Sequence, residues 1–382
     1  MTDPRPNACT LDEVRVKLRI LWARNPHTPI MLWGASGLGK SALIHSFAND
    51  PTEHVRAMLR DGEIPGMFVL RGHALDHAAL NGVLVDRGDY ADWLPLRRLP
   101  HPEQGDPASG FVFLDEINCT LPSIQPQLMQ LVYDRCTANY RLPDGYHIVG
   151  AGNPAESRGA THQMLSPLKR RFVNIIVRAD LDEWITWATL HQIDPRIIGF
   201  LRWRPELLIV DPMRGEDSEA CPRTWEYASR VLTSPISCPA DLQLSLLTDC
   251  VGPGPAGELY GYLAIMDELP DPDDILHGKP VPAPSGRNAP AVTYALIAAL
   301  VSRVVTPPTK PNNKRYTPTE VCELILRWCA CLEEEYQVCL IKDVIHLGKE
   351  CKEYDNTLVR APTWPRWASA HKDVILPTET SA

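Results

Sequence analysis

The chain has 382 residues, of which 44% are hydrophobic and 22% charged, and it carries a formal charge of −9. This is the composition of an ordinary soluble globular protein, long enough for two domains with a sizeable core. The negative balance argues against a protein whose main task is gripping nucleic-acid backbone, since such binding is largely phosphate neutralisation. No apolar run reaches the length of a membrane span, and the start, MTDPRPNACTLDE, lacks the basic end and apolar stretch of a signal peptide. The expected address is the cytoplasm, with no membrane insertion. Eleven scattered cysteines, an odd number without a CxxC pair, fit reduced and mostly buried thiols rather than a disulfide framework. Cys322 and Cys329 fall on one face of a helical pattern, which predicts core packing.

Leu11, Val14, Leu18 and Leu21 recur at helical spacing, so residues 11–24 read as a helix. Pro29 to Trp33 is short and apolar and ends at Gly34, as a buried parallel strand does. Lys40 to Phe47 returns to helical spacing. Met67 to Leu70 and Phe111 to Leu114 are further strand-like runs, separated by a polar, proline-bearing stretch expected to be loop or short insertion. Ile124 to Tyr133 reads as a helix with Pro126 in its first turn. Tyr140 to Leu142 and Tyr146 to Val149 flank Pro143-Asp144-Gly145, a hairpin signal. Phe172 to Val177 is a fifth apolar strand. Strands alternating with helices predict an α/β layered domain with a mainly parallel sheet over residues 1–178. Beyond it, apolar positions at helical spacing in 182–191, 223–232, 241–250, 257–267, 291–305 and 319–347 predict a helical domain over 179–355. Two proline-rich connectors, Leu269–Pro284 and Pro307–Pro318, are expected to be extended spacers or surface loops. The tail, 356–382, holds Trp364 and Trp367 between prolines and has no assignment.

Four elements carry chemistry. Gly34-Ala35-Ser36-Gly37-Leu38-Gly39-Lys40-Ser41 matches GxxxxGKS, with an apolar strand before it and a helix after it. Glycines let successive backbone N–H groups converge on phosphate oxygens, and the following helix points its positive end at the same anion. Lys40 would reach the β- and γ-phosphates and Ser41 would ligate Mg²⁺. Phe111-Val112-Phe113-Leu114-Asp115-Glu116 is a Walker B-like strand that delivers two carboxylates at its C-terminal end. There Asp115 would hold Mg²⁺, and Glu116 would orient or deprotonate the attacking water. Asn153, in Val149-Gly150-Ala151-Gly152-Asn153-Pro154, ends a third strand; it is either a turn asparagine before proline or an amide that senses the γ-phosphate. Ser166-Pro167-Leu168-Lys169-Arg170-Arg171-Phe172 is either a solvated basic face or an arginine finger.

The order and spacing of these elements resemble the AAA+ class. The wording GASGLGKS, FVFLDEIN, IQPQLMQLVYDR, YRLPDGYHIVGAGNP, SPLKRRF and CPRTWEYASRVL narrows the resemblance to MoxR-type ATPases, over about residues 28 to 235. The resemblance implies an α/β core with five strands in the order 5-1-4-3-2, a C-terminal helical lid, and hexameric rings with ATP between subunits. By motif, Asn153 matches sensor 1, Arg171 the finger and Arg223, in Pro222-Arg223-Thr224-Trp225, the sensor 2 arginine of the lid. Arg170 stands where relatives often carry Asp or Asn, so whether Arg170 or Arg171 reaches the nucleotide stays open. Arg223 can equally be a surface arginine opening a helix. The stretch from Leu80 to Leu99, with Trp93 and Leu94, sits where family insertions face the ring's centre; satellite core under a loop is the favoured reading of its apolar residues. His73 and His77 are assigned to a polar loop.

These readings combine into an Mg²⁺-dependent ATPase that assembles into a ring and remodels a separate partner protein. Relatives often serve proteins with von Willebrand A-like domains or insert metal cofactors into enzymes. The rivals are a nucleic-acid motor or restriction-type translocase on the same core, and a nucleotide-gated scaffold with little turnover.

Overall fold

The computed structural model describes residues 7–49, 66–153, 162, 164–210, 220–266, 269–310 and 313–371. The chain divides into two compact units, one ending at Asp180 and the other beginning at Leu181. In chain order the first runs β1 (Ala8–Cys9), α1 (Leu11–Arg24), β2 (Ile30–Trp33), α2 (Lys40–Asn49), β3 (Gly66–Arg71), α3 (His77–Asn81), β4 (Val83–Asp86) and β5 (Ala91–Leu94). It continues through β6 (Ser109–Asp115), α4 (Gln125–Asp134), β7 (Cys136–Thr137), β8 (Tyr140–Arg141), β9 (Gly145–Gly152), α5 (Ser166–Lys169) and β10 (Val173–Val177).

One sheet dominates this unit. Its order is β1-β10-β2-β9-β6-β3, with every neighbouring pair parallel. It has six strands rather than the expected five, because Ala8–Cys9 adds an edge strand against β10. Two residues are too short to leave a periodic signal in the sequence. Strand β6 is buried at six of its seven positions, as an inner parallel strand covered on both faces must be. Phe111 meets Trp22 and Phe47, which α1 and α2 bring to one face. Val112 and Leu114 join Leu128 and Leu131 of α4 in the core on the other. Helix α1 begins with a reciprocal cap between Thr10 and Glu13, and it buries Val14, Leu18 and Trp22 along one stripe.

Two local expectations need correction. Pro143-Asp144-Gly145 does form a turn, with the Tyr146 N–H donating to the Pro143 carbonyl at 3.2 Å. Its two flanks do not pair, however. Strand β8 turns back through Ala138 and Asn139 onto β7, while β9 enters the parallel sheet with Gly145 opposite Ser109. Burial of β9 on both faces decides the matter, and Arg135 secures the connection by donating to the carbonyls of Pro143 and Tyr146 at 2.8 and 2.9 Å. In the stretch from Leu80 to Leu99 the two ends, Leu80 and Leu99, are buried in the core, but the residues between them are not a loop over it. Strands β4 and β5 form an antiparallel hairpin, on which Leu84 and Trp93 pair across the strands and stand 55% and 37% exposed.

The second unit is helical: α6 (Leu181–Leu190), α7 (Pro195–Trp203), α8 (Pro222–Leu232), α9 (Ala240–Val251), α10 (Pro253–Ile265), α11 (Pro272–Leu276), α12 (Ala289–Val305), α13 (Pro318–Cys329), α14 (Glu334–Glu350) and α15 (Trp364–Ala370). Prolines open α7, α8, α10, α11 and α13, where the missing N–H costs nothing, so a proline-rich segment stays helical. The run 319–347 is broken between Cys329 and Glu334 into α13 and α14. The first connector is not merely a spacer, since α11 within it buries Ile275 and Leu276. Leu358, Ala361 and Trp367 of the unassigned tail join the same core cluster as Cys322 and Cys329. Burial pushes both of those thiols up to about 12.

Candidate functional site

Parallel register brings the ends of three strands level. Trp33 lies opposite Gly152, Leu114 opposite Gly150, and Asp115 opposite Arg71. The loop Gly34–Gly39, the Asp115-Glu116 pair and Asn153 therefore emerge at one edge of the sheet, the carboxyl edge where open α/β sheets hold ligands. The loop's path needs glycine: Gly39 has φ +91°, and a Cβ there would lie 3.2 Å from a methyl of Leu11. Helix α2 starts at Lys40 directly after it.

Lys40 is buried at 8% exposure. Its Nζ donates to the carbonyls of Gly34 and Ala35 at 2.8 and 2.7 Å, and to Oδ1 of Asn153 at 3.3 Å. The fold thus brings together the lysine of the glycine-rich loop and a strand-end amide that the sequence keeps far apart. Asn153 is itself fixed by Asn118, whose Nδ2 donates to the Asn153 carbonyl at 2.8 Å. Pro154 lies outside the described residues.

Asp115 closes β6, and its Oδ1 accepts from the Glu116 N–H at 3.1 Å. Glu116 adopts a left-handed conformation, φ 51° and ψ 40°, which a non-glycine residue takes at a cost of about 1–2 kcal/mol. Its Oε2 lies 3.1 Å from Nδ1 of His73. Gly72 makes that approach feasible, since a Cβ at Gly72 would fall 2.2 Å from the Glu116 carbonyl oxygen. His73, expected in a polar loop, is therefore a contact of the second carboxylate.

The two arginines of the basic run differ. Arg170 is exposed, whereas Arg171 is half-buried. Arg223 opens α8 in the helical unit, one residue after Pro222. Sequence reasoning missed Asn118, and Asn174, whose Nδ2 donates to the carbonyls of Lys169 and Phe172 at 3.2 and 2.9 Å. Asn118 closes the FVFLDEIN wording but is given no role there, and Asn174 lies outside every motif.

The donor set suits a nucleotide triphosphate with Mg²⁺. Gly37 and Gly39 both have positive φ, a backbone path of the kind in which successive N–H groups can turn toward one anion, and the Lys40 ammonium beside them is buried. Ser41, in the first turn of α2, and Asp115, closing β6, carry oxygen atoms that could ligate Mg²⁺.

No model of a known protein family matches the chain, and no curated protein does. Among solved structures it is similar to a RuvB mutant from Thermotoga maritima at 19% identity, covering 82% of this chain and 96% of that one with a TM-score of 0.34. NtrX from Brucella abortus in complex with ADP is similar at 13% identity, 94% and 68% coverage and a TM-score of 0.36. Hsp104 with ATPγS and casein is similar at 14% identity and a TM-score of 0.33, over 67% of this chain; the chain spans only 44% of that protein. Likenesses of this strength carry no functional weight.

Proposed function

We propose that the chain is an Mg²⁺-dependent ATPase of the AAA+ class, of MoxR type, that works as a hexameric ring and remodels a partner protein. The observation that carries the ATPase reading is the 3.3 Å approach of Lys40 to Asn153 at the shared edge of β2, β6 and β9. The order of β10, β2, β9, β6 and β3 supports the same reading, since it matches the order that the AAA+ resemblance implies.

In this reading Gly34, Ala35, Ser36, Gly37, Leu38 and Gly39 cradle the phosphates through backbone N–H groups, and Lys40 transfers its ammonium from the loop carbonyls to phosphate oxygens. Ser41 and Asp115 would hold Mg²⁺, which would supply neutralisation of charge on the phosphates. Glu116 orients a water and takes its proton as the water oxygen bonds to the γ-phosphorus. The bond from that phosphorus to the bridging oxygen breaks, leaving ADP and phosphate. Asn153 donates to the water or the γ-phosphate. Arg171 or Arg170 stabilises transition-state charge in a neighbouring subunit, and Arg223, matched to sensor 2, is assigned to nucleotide binding. A separate protein, such as one with a von Willebrand A-like domain, is the proposed partner.

Phosphate release by the wild-type chain with Mg²⁺ and ATP, compared with Lys40→Ala, tests the enzyme. Turnover no greater than that of Lys40→Ala at every protein concentration would falsify it. Capture of partners on Glu116→Gln with ATP, with Lys40→Ala as control, tests the remodelling role. Enrichment of nucleic acid that survives moderate salt, with no protein, counts against it.

A further inference from the structure

The turn that follows α5 is held from two sides. The guanidinium carbon of Arg171 lies 4.7 Å from the ring centre of Tyr133, which projects from the last turn of α4 at 66% exposure. Arg171 Nη1 also donates to the Pro167 carbonyl at 3.2 Å. On the backbone, the two carbonyls bound by Asn174, those of Lys169 and Phe172, bracket Arg170 and Arg171. Asn174 Oδ1 in turn accepts from Nε1 of Trp33 at 2.7 Å, and Trp33 is the residue directly before Gly34. Lys169 Nζ lies 5.4 Å from the Trp33 ring.

We propose that Tyr133 and Asn174 are positioning residues that preform Arg171, rather than Arg170, as the finger offered to a neighbouring subunit's γ-phosphate. Asn174 fixes the turn, and the face of Tyr133 fixes the guanidinium. The inference rests on the ATPase reading above and decides between its two arginines. Charge that develops in a transition state is stabilised best by a group whose orientation is set beforehand. Arg171 meets that condition, because its planar cation lies against an aromatic face and its rotamer freedom is already restricted. Arg170, exposed on the same turn, would have to be ordered at the moment of reaction. The Trp33 tie adds that each subunit fastens its own finger-bearing turn to the root of its own phosphate loop.

Full-length variants test this through phosphate release and the affinity for a fluorescent ATP analogue. Tyr133→Ala and Asn174→Asp are expected to bind nucleotide as wild type does and to lose turnover on the order of tenfold. Tyr133→Phe keeps the ring face and is expected to recover most of it. The carboxylate of Asn174→Asp still accepts from Trp33 but can no longer donate to the two carbonyls. Mixing either defective variant with Lys40→Ala, which has no turnover of its own but carries an intact finger, is expected to restore activity, with Arg171→Ala as the reference. Wild-type turnover in Tyr133→Ala overturns the proposal. So does a deficit that Lys40→Ala subunits restore for Arg171→Ala but not for Tyr133→Ala, which would place Tyr133 in its own pocket or in the fold. A larger loss in Arg170→Ala than in Arg171→Ala overturns it as well, as does failure of the Arg171→Ala mixture itself. Absence of turnover in the wild type is a different result, since it removes the ATPase reading underneath.

Discussion

The ammonium of Lys40 lies 3.3 Å from the side-chain oxygen of Asn153, a residue 113 positions later in the chain. In this arrangement the Asn153 amide nitrogen is left for a second partner at the same edge of the sheet, which in the proposed reaction is the attacking water or the γ-phosphate. Asn153→Ala is therefore expected to lower kcat by roughly 10- to 100-fold, the worth of one hydrogen bond to a charged group, with a smaller change in ATP affinity. Steady-state phosphate release alongside nucleotide titration separates the two. An unchanged kcat would return Asn153 to the role of a turn residue.

Glu116 offers a cleaner separation of binding from chemistry. Its carboxylate touches His73, while Lys40 is held by the carbonyls of Gly34 and Ala35 instead. Glu116→Gln keeps the shape and the contact while removing the proton acceptor. Hydrolysis is expected to fall by about 10²–10⁴-fold, with ATP still bound. Removing Mg²⁺ with a chelator should abolish turnover in the wild type, and adding it back should restore it. Native-rate hydrolysis by Glu116→Gln would show that the base is misassigned.

Much of this candidate site's arrangement is legible in the sequence. The glycine-rich loop and the paired carboxylates follow from motif and flanking pattern, and β2, β6 and β9 announce themselves as apolar runs because both of their faces are covered. What stayed hidden depends on register. Whether His73 meets Glu116, or Trp33 meets Asn174 across 141 residues, is decided by how far each strand runs before it ends, and no local periodicity records that. Pro143-Asp144-Gly145 misled for the same reason. Its turn chemistry is local, but the partner of β9 was chosen by burial on both faces. The β4–β5 hairpin escaped because its apolar residues are exposed while the flanking Leu80 and Leu99 are core, and hydrophobicity alone does not tell the two apart.

In the helical unit, one charged residue ties three helices. Arg202 on α7, at 14% side-chain exposure, pairs with both Asp182 of α6 and Asp343 of α14. Burial pushes the Asp343 carboxyl up to about 7 even though Arg202 pulls it down. Removing the guanidinium alone would leave a buried carboxylate without its partner. Arg202→Ala is expected to destabilise this unit by about 3–5 kcal/mol, while replacing Arg202 and Asp343 together with apolar residues should cost much less. Urea denaturation followed by the far-ultraviolet circular dichroism of the helices measures both. Additive losses in the double variant would mean that the pair is not coupled.

Gly72 is a position where packing and chemistry meet. A methyl group there would fall 2.2 Å from the Glu116 carbonyl oxygen and 2.8 Å from Thr120 Oγ1. The first neighbour is backbone, so it cannot rotate away. The turn Gly72–Ala74 or the left-handed residue at the end of β6 must shift instead, and either movement separates His73 from Glu116. Gly72→Ala is expected to cost about 1–3 kcal/mol of stability from overpacking, and to lower kcat while leaving ATP affinity near that of the wild type. The loop around Lys40 is untouched by the change, which is why binding should survive. Thermal melting, nucleotide titration and phosphate release on one preparation give the three numbers. Normal turnover at reduced stability would show that the placement of Glu116 tolerates movement of the neighbouring turn, and that its contact with His73 is incidental to the reaction.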